Sequence, residues 1–217
     1  MIEIFEEIDQ QSPEWFAARA GLVTASVFSK VKAQGRDGGA SVQRRDLLMK
    51  LAGEILTGEP APEGYRNADM DRGNEQEAEA RALYAFTYGA VKRVGFVRNG
   101  RMGCSPDSLI GDDGGLEIKC AIPAVQVARL LSGKLPAEHV AQVQGSMLVT
   151  GRPTWTFMSY CPKLPELVVV VKRDEAVIAE LQAAIDKFNA ELDVIVSTIR
   201  NYGGGLKDTL LASLEQS

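Results

Sequence analysis

The chain has 217 residues, 45% of them hydrophobic and 24% charged, with a net charge of −5 and a pI of about 5.1. That balance suits a single globular domain with a real core. Apolar runs such as 167–171 are far too short to cross a bilayer, and the acidic start MIEIFEEIDQ lacks the basic and apolar regions of a secretory signal.

Three scattered cysteines, Cys104, Cys120 and Cys161, include no CxxC pair, which speaks against a zinc or iron–sulfur site and for reduced thiols in a cytoplasmic protein. The acidic average hides an asymmetry. Residues 19–50 hold seven basic side chains against two acidic ones, a local charge of +5 in a remainder of −10. Such a stretch fits a phosphate-binding surface, with a solvated helix face as the plainer alternative.

In chain order, Ser12-Pro13-Glu14 is a helix start, and the helix through Trp15 and Arg19 is predicted to stop at Gly21. Thr24-Ala25-Ser26 opens a short helix over 27–32. This brings Arg19 and two hydroxyls near a helix N-terminus, where N–H groups favour an anion; a simple capping role for Ser26 is equally good. Arg36 tips a loop over 34–39. An amphipathic helix is predicted from Ser41 to Thr57, ended by Gly58. After a Pro/Gly loop over 59–65, another helix is expected over 71–86. Its Glu77 and Arg81 are spaced i,i+4, and an exposed ion pair explains both.

Strand signals cluster over 91–97 and 102–104, around Asn99-Gly100. Helices are predicted over 123–133 and 136–150. The second has Val140, Val143 and Met147 on its apolar face, with Gln142 and Gln144 pointing elsewhere. Segments 153–160 and 166–172 read as antiparallel strands, 174–200 as one long helix, and 206–217 as a small helix or frayed tail. The order implies an α/β fold, a mixed central β-sheet flanked by helices. A single domain is expected, with a helical part over 12–88, a sheet core over 91–172 and a C-terminal helix.

The most informative stretch is CSPDSLIGDDGGLEIK, 104–119. A hairpin of 106–110 with 115–120 brings Asp107, Glu117 and Lys119 to one edge, because strand positions two apart share a face. Two carboxylates there can hold a hard divalent cation, and the lysine can position or deprotonate an attacking water. Glu-x-Lys alone is close to chance, and an ordinary polar hairpin is the competing explanation. His139 is the only histidine, so no Ser–His or Cys–His site is credible.

Five stretches in order carry a resemblance: Trp15-x3-Arg19-x-Gly21-x2-Thr24-Ala25-Ser26, Gly73-x3-Glu77, Cys104-Ser105-Pro106-Asp107, Leu116-Glu117-Ile118-Lys119-Cys120 and Ala141-Gln142-Val143-Gln144-x-Ser146-Met147. Together they resemble the viral recombinase family of nucleases typified by phage lambda exonuclease, in the restriction-endonuclease-like PD-(D/E)xK superfamily. The resemblance implies that Asp107, Glu117 and the Ile118 carbonyl ligate Mg²⁺, or Mn²⁺ in its place, with Glu77 serving a second ion. It implies that Lys119 orients or activates the water, with Gln142 nearby. Arg19, Ser26 and Ser105 would hold a 5′-terminal phosphate, Arg36 would grip DNA, and Met70 would be an apolar wedge at the end base pair.

The implied activity is 5′→3′ exonuclease digestion of linear double-stranded DNA by a toroidal homotrimer in a bacterial host cell. The product is a 3′ overhang for a phage-type single-strand annealing protein. A restriction-type endonuclease and a non-catalytic DNA-end-binding module are the rivals. The first lacks a base-reading insertion in this sequence, and clustered carboxylates hinder the second because they repel phosphate unless metal is present.

Overall fold

The computed structural model describes residues 1–35, 39, 41–62 and 68–202, the side chains of 68–75 excepted. Strand β1 (Ile2–Phe5) is followed by α1 (Pro13–Arg19) and the short β2 (Val23–Thr24). The Ser12 hydroxyl caps α1 by accepting from Trp15 N, and Pro13 sits in the first turn, where no N–H is required. A 3-10 turn (Ala25–Val27) leads into α2 (Phe28–Lys32). Helix α3 (Val42–Thr57) runs from its Ser41 cap to a left-handed Gly58. After α4 (Ala68–Tyr88) come β3 (Phe96–Asn99), β4 (Met102–Cys104), β5 (Ser108–Ile110) and β6 (Gly114–Cys120). The chain continues through α5 (Pro123–Ser132), α6 (Ala137–Thr150), β7 (Thr154–Tyr160), β8 (Leu167–Lys172) and α7 (Glu175–Arg200).

The strands form two four-stranded sheets, ordered β1-β3-β4-β2 and β5-β6-β7-β8. Both are mixed, with β2 parallel to β4 and β6 parallel to β7. This is the α/β arrangement of mixed sheet and flanking helices that the element order implied. A bridge between Lys92 and Leu109 joins the chain ahead of β3 to β5. Two details differ from the local signals. The segment over 91–97 becomes a named strand only at Phe96, and β1 pairs with β3 without having been predicted. Three of its four residues are exposed, so burial does not impose the period-two pattern that marks a half-buried strand.

Strand β7 is buried almost throughout and alternates between two cores. Trp155 and Phe157 join the large core with Phe28, Leu51, Met147 and Phe188. Met158 and Tyr160 join a smaller one with Ala80, Tyr84, Leu116 and Ile118. Because Glu117 registers with Phe157 and Lys119 with Ser159, these two polar residues share the face of the large core. Leu116 and Ile118 turn to the α4 side.

Gly115 lets β6 lie against the Trp155 indole: a Cβ there would sit 2.3 Å from the ring carbon Cζ3. Overpacking of this kind costs about 1–3 kcal/mol. Gly115→Ala is therefore expected to lower the thermal midpoint by roughly 3–10 °C in a chain of this size. An unchanged midpoint in a melting experiment would show that the indole gives way freely.

Candidate active site

The site forms where a strand stops. Strand β5 begins at Ser108, and Gln10 Nε2 holds the Pro106 carbonyl just ahead of it at 2.9 Å. Asp107 N still donates to Leu116 O at 3.2 Å, but the next N–H along β6 has no strand to receive it. The Asp107 side chain takes that place, with Oδ2 accepting from Ile118 N at 2.5 Å. One hydrogen bond thereby fixes the Asp107 carboxylate against β6 beside Glu117.

Glu117 is 2% exposed. Its Oε1 accepts from Lys119 Nζ at 2.5 Å and from Gln142 Nε2 of α6 at 2.6 Å. From the α4 side, Glu77 pairs with Arg81, whose Nε also donates to the Asp107 carbonyl at 3.1 Å. Asp107, Glu117, Lys119 and Gln142 are thus brought together, and Glu77 lies within electrostatic reach through the Arg81 bridge.

The electrostatics are those of crowded acids, one buried and one half-buried. Loss of solvent, followed by the charges of Glu117 and Glu77, pushes the Asp107 pKa well above the usual carboxylate range against the pull of Lys119 and the Ile118 N–H. Burial also raises Glu117, opposed by Lys119 and Gln142. For Lys119, burial acts to lower the pKa, but Glu117, Asp107 and Glu77 outweigh it, so the ammonium is held cationic. Hard oxygen donors with this much unrelieved repulsion suit a divalent cation. Among the described residues, no three acidic, histidine or cysteine side chains close on one point, because Glu77 turns to Arg81. Of the acids here, the adjoining pair Asp107 and Glu117 are the side chains that could hold such an ion.

A second cluster lies two residues upstream. Ser105 Oγ accepts from Arg19 Nη1 at 2.7 Å and from Trp15 Nε1 at 2.9 Å. The Arg19 guanidinium stacks 3.9 Å from the Trp15 ring centroid, and its Nη2 reaches Thr24 Oγ1 at 3.5 Å. Thr24 Oγ1 in turn lies 3.2 Å from Ser26 Oγ, which is exposed at the start of the 3-10 turn. The 3-10 turn has Thr24 at its N-cap and α2 has Val27, so Ser26 does not hold a capping position. Burial lowers the Arg19 pKa to about 10, with Cys104 and Glu54 opposing the fall, so it stays charged at neutral pH. Arg36 lies outside the described residues. Met70 lies on α4, but its side chain is outside the description.

Carboxylates at the end of a mixed sheet flanked by helices define a restriction-endonuclease-like α/β protein. More narrowly, the chain belongs to the YqaJ-like viral recombinase domain family, whose pattern matches residues 14–153. It is similar to an alkaline exonuclease (LHK-Exo) from Laribacter hongkongensis, at 34% identity and a TM-score of 0.80, over 90% of this chain and 100% of that one. The same exonuclease in complex with dAMP aligns at 0.81 with the same identity and coverage. A phage related exonuclease from Haemophilus somnus 129PT shares the fold at 17% identity and a TM-score of 0.62, over 82% of this chain and 96% of that one. No curated protein sequence matches the chain.

Two side chains at the site, Trp15 and Arg81, were not among the sequence candidates. Trp15 stood inside the motif that carried the resemblance, and only the fold shows that it holds Arg19 and Ser105 in place. Arg81 read as half of a surface ion pair, yet its side chain is only 16% exposed because it reaches across to the Asp107 carbonyl. Nothing in i,i+4 spacing signals a backbone acceptor from another element.

His139 has a packing role. It stacks on Phe157 with centroids 5.1 Å apart, and its Nε2 accepts from Arg129 Nη2 at 2.9 Å. Burial, then the Lys119 and Arg129 charges, lowers its pKa to about 4. The unfolded chain therefore binds a proton near pH 6.5 that the folded chain refuses until about pH 4. Stability is fully present above pH 6.5 and falls by up to roughly 1.4 kcal/mol per unit as the pH drops through this window. Denaturant melts of His139→Gln are expected to show a shallower acid decline, and equal slopes for the two proteins would remove His139 as a cause.

Proposed function

We propose that this chain is a metal-dependent exonuclease that digests the 5′-phosphorylated strand of linear duplex DNA and leaves 3′ overhangs for single-strand-annealing recombination. Membership of the viral recombinase family and the 34% identical alkaline exonuclease support the nuclease reading. The observation that carries the polarity is the spacing of Ser105 and Asp107 on either side of Pro106. Two residues of chain can separate the anion pocket from the carboxylate pair by at most roughly 7 Å, about the span of one nucleotide of backbone. A terminal phosphate at Arg19 would place the next phosphodiester beside Asp107 and Glu117, and one mononucleotide would leave per cut.

Each side chain has a task in this reading. Ser105, already accepting from Arg19 and Trp15, has its own proton to donate to a phosphate oxygen. Arg19 and the Thr24–Ser26 hydroxyls add charge and further donors. Asp107, Glu117 and the Ile118 carbonyl would hold Mg²⁺ or Mn²⁺, and Glu77 would serve a second ion or its water. A divalent cation bound there supplies a polarised water and offsets charge on the phosphorus centre. Lys119, held cationic beside Glu117, orients the water or the phosphate, and Gln142 fixes the Glu117 carboxylate from behind.

A homotrimeric ring acting with an annealing protein is part of the proposal. It would let the basic residues of 19–50 face DNA inside an acidic exterior. Among the described residues, no helix is long and apolar enough to cross a membrane.

The deciding assay offers linear 5′-phosphorylated duplex, circular duplex and single strand, with Mg²⁺ and with EDTA. Digestion of the linear duplex alone, abolished by EDTA, is expected. Cleavage of the circle would favour an endonuclease, and silence on every substrate a DNA-end-binding module. Asp107→Asn and Lys119→Ala should each lower the rate by at least about 10²-fold while leaving DNA retention intact. Asp107→Asn should also erase the rise in melting temperature that Mg²⁺ gives the parent protein. Normal digestion by Asp107→Asn would sink the site.

A further inference from the structure

Glu54, in the last turn of α3, is a buried carboxylate that the steps above leave unused. It is 7% exposed. Its Oε2 accepts from Gly21 N at 2.8 Å, its Oε1 accepts from Ala61 N at 3.1 Å, and Lys50 Nζ lies 3.7 Å from Oε1. Removing a carboxylate from water costs several kcal/mol, a cost offset here by charge-assisted bonds to backbone N–H groups. Both oxygens are committed, and to two different loops.

The first loop carries Arg19. Leu22 N donates to Arg19 O at 3.0 Å, closing α1, and Gly21 follows in the left-handed region at φ +71. A Cβ at Gly21 would lie 2.6 Å from Ile55 Cγ1, so the turn is drawn hard against α3 at the point where Glu54 holds it. The second loop is the stretch after α3. There Pro60, Ala61 and Pro62 line a cavity of about 250 Å³ shared with Trp15, Arg19 and Glu54. One side chain thus ties the turn that aims the arginine to a wall of the cavity the arginine enters. Glu54 also supplies one of the charges that keep Arg19 cationic against its burial.

We propose that Glu54 is a positioning residue for the phosphate anchor, bracketing the Gly21 turn and the 60–62 segment so that Arg19 meets Ser105 and an incoming 5′ phosphate. The inference rests on the reading of Arg19 as that anchor. Glu54→Ala opens both arms of the bracket. Glu54→Gln sets an NH₂ group against one of the two N–H donors and opens one arm at nearly constant volume.

The test compares kcat/KM on linear duplexes ending in 5′ phosphate and in 5′ hydroxyl, for the parent chain, Arg19→Ala, Glu54→Gln and Glu54→Ala, with melting temperatures taken alongside. Arg19→Ala is expected to remove most of the preference for phosphate. Glu54→Gln should lower the phosphate-to-hydroxyl ratio by roughly tenfold, the size of one displaced charge-assisted contact, and chiefly through KM. Glu54→Ala should approach Arg19→Ala. A purely structural glutamate would weaken activity on both ends alike, so an unchanged ratio in Glu54→Gln beside a collapsed ratio in Arg19→Ala overturns the proposal. An unchanged ratio in Arg19→Ala means that the anchor reading itself has failed, and the role of Glu54 falls with it.

Discussion

A buried glutamate and a half-buried aspartate held side by side set the terms for the rest of this structure. Asp107 and Glu117 repel one another in a place where solvent screens them poorly, and the fold keeps them there with a small set of directed bonds. The Ile118 N–H pins one, Lys119 and Gln142 pin the other, and Arg81 braces the Asp107 carbonyl from α4. None of these contacts works unless β6 stays registered on β7. That register rests on the fully buried Trp155 and Phe157 and on the absence of a side chain at Gly115. Much of the core therefore serves to hold an arrangement that electrostatics alone would disperse.

Strong local signals made the chemistry of β6 legible from the sequence. Alternation put Glu117 and Lys119 on one face and the Gly/Asp turn made the hairpin, although its first strand starts at Ser108 and not at the expected Pro106. Helix boundaries at Ser12, Ser41, Gly58, Gly133, Gly151 and Asp174 were legible because capping chemistry is local. Contacts that cross elements were hidden. Gln144 read as pointing away from the core, yet it is buried and bonds both Lys172 O and Asp174 N. Its neighbour Gln142 reaches Glu117, and nothing in the helical period separates the two roles.

The two clusters also differ in what they demand. The carboxylate pair stores repulsion that a cation would relieve. The Arg19 pocket is already satisfied by neutral oxygens, and its guanidinium lies flat on Trp15. Stacking restricts the arginine while leaving it donors in the plane of the group. In the proposed role as a phosphate anchor, little ordering entropy would be left to lose when an anion arrived, and preorganisation of this kind would favour discrimination between ends over mere adhesion to DNA.

The late start of β5, at Ser108, has a further consequence. An unpaired stretch of strand edge is a place where another chain can dock and extend the sheet, the usual first step of β-aggregation. At Ile118 the donor that such an intruder would need is already taken by Asp107 Oδ2, and the charge beside it repels an approaching backbone carbonyl. The residue that makes the edge reactive also makes it unattractive to other strands. Neutralising Asp107 would remove a safeguard of solubility together with a carboxylate of the candidate site.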